Sequence, residues 1–297
     1  MATLYTQAAS NVRKTWGLML VFFVLIAALG WFLSVYYGST DILVIAIVFS
    51  LFMNVAGYWF SDKVALAMSG AKPAPDAEFP DLHNIVENLA ITAGLPKPRV
   101  YIINDAAPNA FATGRNKDHA AVAVTTGLLA GLNRAELEGV LAHELAHIGN
   151  RDILVATVAV ILAGFVAILS DIFLRGHLFG GRNRNNNSRG GGALAIIGLV
   201  LIVLAPIFAT LIRLAISRRR EYLADASGAL LTRYPEGLAS ALEKIGAHPA
   251  PLARASDATA HLFISNPFGA RAARGLHHLF LTHPPLVERI KLLREMR

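Results

Sequence analysis

The chain has 297 residues, of which 55% are hydrophobic and only 16% are charged, and it contains no cysteine. The lack of cysteine excludes thiol catalysis, disulfide bonds and cysteine-type zinc sites. A net charge of +7 would suggest a nucleic-acid partner in a soluble protein. In a chain this apolar, basic residues that flank membrane spans and contact anionic lipid explain the charge better. We therefore expect a lipid bilayer as a partner of this chain, and no nucleic acid.

The excess hydrophobicity lies in four stretches without charge, each about as long as the 17–25 residues that cross a bilayer as a helix. They are residues 16–40, 42–61, 153–170 and 193–212. We predict that all four are transmembrane helices of a multi-pass membrane protein. For the third and fourth stretches, a buried hairpin inside a soluble domain is the alternative.

The distribution of positive charge predicts the orientation of the chain. Two basic residues precede the first span, none lies in the link at 38–41, and Lys63 follows the second span. Because cytoplasmic loops carry an excess of Lys and Arg, we predict that the amino terminus and residues 62–152 face the cytoplasm. The loop at 175–192 has low complexity, and we predict that it is disordered. If the third and fourth stretches both cross the membrane, this loop lies on the side opposite the cytoplasm, despite its four arginines.

The first soluble segment predicts a mixture of helix and strand. Apolar residues at helical spacing predict a helix at 80–93, and a run of β-formers predicts a strand at 99–103. Two further short strands are predicted at 110–113 and 121–125. The loop at 114–118 joins them, which is typical of a hairpin.

The next element carries the most informative motif of the chain, His143-Glu144-Leu145-Ala146-His147. Asn133 followed by Glu136 resembles a capping box, and a Gly-Asn pair ends the predicted helix just after the second histidine. Residues four apart share one face of a helix, so His143 and His147 can bind one metal ion. Glu144 lies beside that ion, where it can take a proton from the attacking water. Two surface histidines on an ordinary helix are the alternative.

The second soluble segment predicts helices at 217–232, 235–246 and 285–295. A hydrolytic zinc site usually has three protein ligands, so a third ligand is needed. Glu221 is the best candidate, because it opens this segment on a predicted helix. Asp225, four residues on, lies on the same face and could accept the outer N–H of a ligating histidine. A solvated acidic pair among arginines is the alternative.

The ordered set of motifs resembles the M48 family of membrane zinc metalloproteases, in particular its bacterial stress-response members. The matching segments are residues 108–114, 126–129, 143–147, 150–152, 220–225, 282–285 and 288–290. The resemblance implies an α-helical membrane protein with an α+β zincin catalytic domain of the gluzincin type. It implies one Zn²⁺ per chain, with Glu221 as the third ligand and Glu144 as the catalytic base. It also implies quality control at the bacterial inner membrane, where misfolded or damaged membrane proteins are cut on the cytoplasmic side.

Two further site assignments follow at this point. By resemblance, His283 is a catalytic hydrogen-bond donor to the tetrahedral oxyanion; entry into the last helix is the alternative role of its segment. A strand next to the motif helix could pair with the extended backbone of a substrate. Its residues are Asn109, Ala110, Phe111, Ala112 and Thr113.

The predicted organisation has four parts. Residues 1–61 form a pair of transmembrane helices, 62–152 the first part of the protease domain, 153–212 a second transmembrane hairpin, and 213–297 the part that carries the third ligand. Two other functions stay open: a CaaX-type endopeptidase that cuts prenylated proteins, as in the eukaryotic branch of the family, and an inactive membrane scaffold of the same fold.

Overall fold

The computed structural model describes residues 4–159, 162, 218–248, 250–256, 259–268 and 284–296. Most of the third apolar stretch, the whole of the fourth, the loop at 175–192 and His283 lie outside the described residues. The start of the third stretch is helical, over residues 152–159.

Two long helices form the amino-terminal part of the chain. They are α1, Leu4–Tyr37, and α2, Thr40–Met68, and they pack as an antiparallel pair. Gly38 has a φ of 67°, which permits the sharp turn between them. At 1.5 Å per residue each helix exceeds the roughly 30 Å of a bilayer core. These are the two described helices that are long and apolar enough to cross a membrane, whereas four were predicted.

The outer faces of α1 and α2 expose large apolar side chains. Leu20, Trp31, Ile45 and Phe52 are all more than 60% exposed. In water this would be an apolar patch much larger than soluble monomers carry. A lipid environment accounts for it.

A four-stranded sheet lies next in the chain. Its strands are β1, Lys72–Pro73, β2, Arg99–Ile103, β3, Ala110–Gly114, and β4, Ala120–Thr125, in the order β1-β2-β4-β3. The strands β2 and β4 are parallel, and β3 is antiparallel to β4 at the edge of the sheet. The predicted strands and the predicted hairpin are therefore confirmed.

Six shorter α-helices complete the described part of the fold. They are α3, Pro80–Thr92, α4, Thr126–Gly131, α5, Arg134–Gly149, α6, Arg218–Thr232, α7, Pro235–Ala247, and α8, Leu286–Glu295. Five of these six helices were predicted; the short α4 was not. One apolar core joins residues of both soluble segments, such as Val140 and Leu145 from the first and Leu238 and Leu242 from the second. The helix α5 lies at its centre and packs against α3, α6, α7 and β3.

Candidate active site

The motif helix α5 is fixed at its start and buried along its length. The Asn133 side chain accepts a hydrogen bond from the Glu136 backbone N–H, and the Glu136 carboxylate accepts one from the Asn133 N–H, at 3.0 and 2.8 Å. This capping box satisfies two of the free N–H groups at the helix start. His143 and Glu144 are 0% and 2% exposed, and the side chain of His147 is 15% exposed. The alternative of two surface histidines is therefore wrong.

The structure brings His143, His147 and Glu221 together. The two Nε2 atoms lie 3.1 Å apart, and the Glu221 carboxylate oxygens lie 3.8 Å from His143 Nε2 and 3.7 Å from His147 Nε2. Ligand atoms bound tetrahedrally about 2 Å from a zinc ion lie about 3.3 Å from one another. The three side chains therefore fit a single metal ion with little adjustment.

Both histidines have a carboxylate partner on the ring nitrogen that faces away from this centre. His143 Nδ1 lies 2.9 Å from Asp225 Oδ1, and His147 Nδ1 lies 3.1 Å from Asp152 Oδ2. An ionised carboxylate only accepts hydrogen bonds, so each Nδ1 carries a proton, and in a neutral ring Nε2 then presents a lone pair. With both rings neutral, two lone pairs that face each other at 3.1 Å repel unless a cation lies between them. The hydrogen-bond pattern therefore favours a metal ion at this position.

The electrostatics of the site point the same way. Burial alone would lower the pKa of His147, but the hydrogen bond to Asp152 and the charges of Glu221, Asp152 and Glu144 raise it to about 9. Burial would raise the pKa of Asp225, but the Arg289 guanidinium and the His143 ring bring it to about 2. Asp225 therefore stays ionised at neutral pH, and the negative charge around the histidines attracts a cation.

Close packing of α6 on α5 brings the candidate third ligand next to the two histidines. Glu221, Asp225 and Gly228 share one face of α6, and a Cβ atom at Gly228 would lie 3.0 Å from the His143 backbone nitrogen. The missing side chain at this position allows the two helices to approach closely. The carboxylates of α6 thereby reach the histidines of α5.

Residues 76–297 match the sequence profile of Peptidase family M48. The chain belongs to this family. It is 52% identical over 299 aligned positions to a protein named Protease HtpX homolog from Thermoanaerobacter pseudethanolicus, covering 99% of this chain and 98% of that one. A protein of the same name from Caldanaerobacter subterraneus subsp. tengcongensis is 51% identical, with the same coverage.

The fold of this M48 peptidase also resembles a solved structure, the crystal structure of S. mikatae Ste24p. The TM-score is 0.50 at 20% sequence identity, over 97% of this chain and 67% of that one. At this identity the likeness concerns the fold alone. The family and the two long apolar helices together make the chain a membrane-bound metalloprotease.

The M48 peptidase has a cavity beside the candidate metal centre. It is lined by Ala112, Glu144, His147, Glu221, His261 and Leu262, among others. Glu144 thus lies at the wall of the cavity and next to the two histidines, without belonging to the group of three that could hold the ion. This is the place that a proton acceptor for an attacking water requires.

The edge strand β3 is only partly free for a substrate. The Asn109 C=O accepts a hydrogen bond from Thr125 of β4, so by alternation the backbone groups of Ala110 and Ala112 point to the free edge. The Ala110 C=O already accepts one from the Ile264 N–H at 2.9 Å. The other predicted substrate residues make internal contacts. The Asn109 side chain bonds Ser265, the Phe111 ring packs against Phe263, and the Thr113 hydroxyl bonds Thr157.

Of the five predicted substrate residues, Ala112 is therefore the one that combines an outward-facing backbone with a position in the cavity wall. The sequence pattern located the strand correctly. It gave no sign that the segment around Ile264 covers one end of its edge.

Two contacts of the site, that of Asp152 with His147 and that of Arg289 with Asp225, escaped the analysis of the sequence, in which Arg289 was only a weaker companion of His283. Asp152 follows the end of α5, and Arg151 before it has a φ of 58°, so helical spacing could not place Asp152 beside His147. Arg289 is fully buried and donates two hydrogen bonds to Asp225, at 2.8 and 2.7 Å. The only signal for both was their place in the motifs at 150–152 and 288–290.

Proposed function

We propose that this chain is a zinc metalloendopeptidase of the bacterial inner membrane that hydrolyses misfolded or damaged membrane proteins at the cytoplasmic face. The observation that carries the proposal is the buried group of His143, His147 and Glu221 beside Glu144, in a chain with two helices of membrane-spanning length. A catalytic domain of the gluzincin type agrees with two histidines on one helix and a glutamate on a later one.

The proposed roles follow from the geometry. His143, His147 and Glu221 would hold the zinc ion, while Asp225 and Asp152 fix the orientation of the two imidazole rings. When bound, zinc supplies a Lewis acid that polarises the scissile carbonyl and acidifies water. Glu144 accepts the proton of the attacking water and passes it to the leaving amine. His283, outside the described residues, would donate a hydrogen bond to the oxyanion.

Substrate would bind as an extended strand next to β3. The outward-facing N–H and C=O of Ala112 offer main-chain hydrogen bonds at the wall of the cavity. Such pairing recognises the backbone and tolerates many side chains. It therefore suits an enzyme that must accept diverse unfolded segments.

The packing supports the proposed topology. Residues 62–152 and 213–297 would form one protease domain, because residues of both join in one apolar core. The chain between them, 153–212, then crosses the membrane an even number of times. Residues 1–61 form the amino-terminal pair of spans, with the domain on the cytoplasmic side.

Removal of the metal tests the activity. Treatment of the purified full chain in detergent with a zinc chelator is expected to stop the degradation of casein, because the site needs its cation. Addition of zinc after removal of the chelator should restore it. Restoration by zinc would exclude an inactive scaffold, and unchanged casein degradation in the chelator would contradict the proposed metal site. Cleavage confined to prenylated peptides would favour the CaaX-type alternative.

Cysteine labelling tests the orientation in this cysteine-free chain. Thr40, the first residue of α2, and Lys117, in the β3–β4 hairpin, are both exposed. In intact cells, a membrane-impermeant thiol reagent is expected to label Thr40→Cys and to leave Lys117→Cys unlabelled until the cells are permeabilised. The reverse pattern would place the protease domain outside.

A further inference from the structure

We propose that Asn11, in the amino-terminal helix α1, is a positioning residue for the metal site and acts on His147 through Asp152. The first membrane helix would then be part of the active site as well as an anchor. This inference rests on the proposed zinc site.

Asn11 belongs to a buried polar cluster, which we define as Asn11, Asn150, Asp152 and Arg220. Asn11 is 2% exposed, and both the nitrogen and the oxygen of its side-chain amide make hydrogen bonds. Its Nδ2 donates to Asp152 Oδ1 at 2.6 Å and to the Asn150 C=O at 3.0 Å, and its Oδ1 accepts from Arg220 at 3.2 Å. The cluster therefore ties α1 to the end of α5 and to the start of α6.

The two carboxylate oxygens of Asp152 have different hydrogen-bond partners. Oδ2 faces His147 Nδ1 at 3.1 Å, while Oδ1 accepts hydrogen bonds from Asn11 and from Arg220, the latter at 3.1 Å. A carboxylate held at one oxygen by two donors cannot rotate about its own axis without breaking them. Its other oxygen therefore keeps the His147 ring in the orientation that directs Nε2 to the metal.

Apolar side chains extend the contact between α1 and the segment that follows α5. Leu18 and Phe22 of α1 pack in one buried group with Leu154, Val158 and Leu162, on the helical segment that begins at Asp152. The interface between α1 and this helical segment therefore holds both α1 and Asp152 in place. The residues matched by the family profile begin at 76, so Asn11 lies in the part of the chain that precedes them.

A purely architectural role for Asn11, a tether between two helices, is the competing explanation. The two roles differ in what they do to metal affinity. A tether only stabilises the packing of the helices. Its loss should therefore lower zinc affinity no more than the loss of another hydrogen bond between helices. A positioning residue affects zinc affinity through Asp152, and its effect disappears when Asp152 can no longer act.

The first experiment compares Asn11→Leu with Asn54→Leu in the full chain in detergent. Asn54 is a matched control, because its amide joins α2 to the Met19 C=O of α1 at 3.3 Å, away from the polar cluster. Zinc affinity is measured by competition with a chromogenic chelator, and folding by thermal unfolding. We expect Asn11→Leu to weaken zinc binding about 3–10-fold, less than the roughly 10–100-fold known for direct partners of ligands. Asn54→Leu should leave it unchanged.

The second experiment is a double-mutant cycle with Asp152→Ala, which removes both acceptor oxygens from this position. If Asn11 acts through Asp152, adding Asn11→Leu to Asp152→Ala changes zinc affinity little; independent effects would multiply. Multiplying effects, or equal zinc affinity in Asn11→Leu and Asn54→Leu, would overturn the inference. If Asn11→Leu fails to fold, Asn11→Ser and Asn54→Ser are compared in the same way. Failure of the wild-type chain to bind one zinc ion would instead refute the proposed function.

Discussion

Replacement of Glu144 by glutamine is expected to abolish proteolysis while the protein keeps its zinc. The side chain lines the active-site cavity and is 2% exposed, so an amide of the same shape fits the space. The amide cannot accept the proton of the attacking water, and loss of a general base costs about 10²–10⁴-fold in rate. Zinc should stay, because Glu144 is outside the group of three candidate ligands. Casein degradation and elemental analysis of the same preparation measure the two effects.

The matched control is His143→Ala, on the same helix and equally buried. It removes a candidate ligand, so we expect it to lose both zinc and activity. Appreciable activity in Glu144→Gln, or loss of its zinc, would show that Glu144 is not the base.

What the sequence could predict of this site depends on how local the signal is. The helix α5 has its capping box, its Gly-Asn stop and its two histidines within one run of residues, and its predicted extent is confirmed. The pair Glu221 and Asp225 could be proposed because a spacing of four places both on one face of a helix. Their meeting with His143 depends on the packing of α6 on α5 at Gly228, which no local pattern reveals.

The contacts that sequence reasoning missed are those between distant segments. Asn11 reaches Asp152 across 141 positions of the chain, and Arg289 reaches Asp225 across 64. A buried arginine and a buried asparagine look like surface residues in a hydropathy pattern, because the pattern shows polarity and not partners. The hydrogen bond from the Ile264 N–H, which covers one end of the β3 edge, is also a contact between distant segments and leaves no mark in a hydropathy pattern.

These distant contacts also explain how the site tolerates its charges. Four buried or nearly buried carboxylates, on Glu144, Asp152, Glu221 and Asp225, surround two histidines. Two of them have an arginine partner: Arg220 bonds Asp152 and Arg289 bonds Asp225. Each arginine compensates the negative charge of its carboxylate, which accepts a hydrogen bond from the Nδ1–H of a candidate histidine ligand, as a metal site requires.

Replacement of Glu221 and of Asp225 by alanine is expected to have effects of different kinds, although both residues lie on one face of α6. Glu221→Ala removes a candidate ligand, so zinc occupancy should fall sharply. Asp225→Ala removes the partner of His143 Nδ1 and should weaken zinc binding about 10–100-fold. It also leaves the Arg289 guanidinium, 0% exposed, without its carboxylate. Breaking a buried ion pair in this way costs about 3–5 kcal/mol of folding free energy.

The double variant Asp225→Leu/Arg289→Leu separates these two roles of Asp225. With both charges gone, no unpaired ion remains in the core, so much of the stability lost in Asp225→Ala should return. Zinc binding should stay weak, because the His143 ring still lacks its acceptor. Zinc titration and thermal unfolding of the metal-free proteins measure the two quantities separately. Wild-type zinc affinity in the double variant would show that Asp225 does not orient His143, and full zinc occupancy in Glu221→Ala would exclude Glu221 as the third ligand.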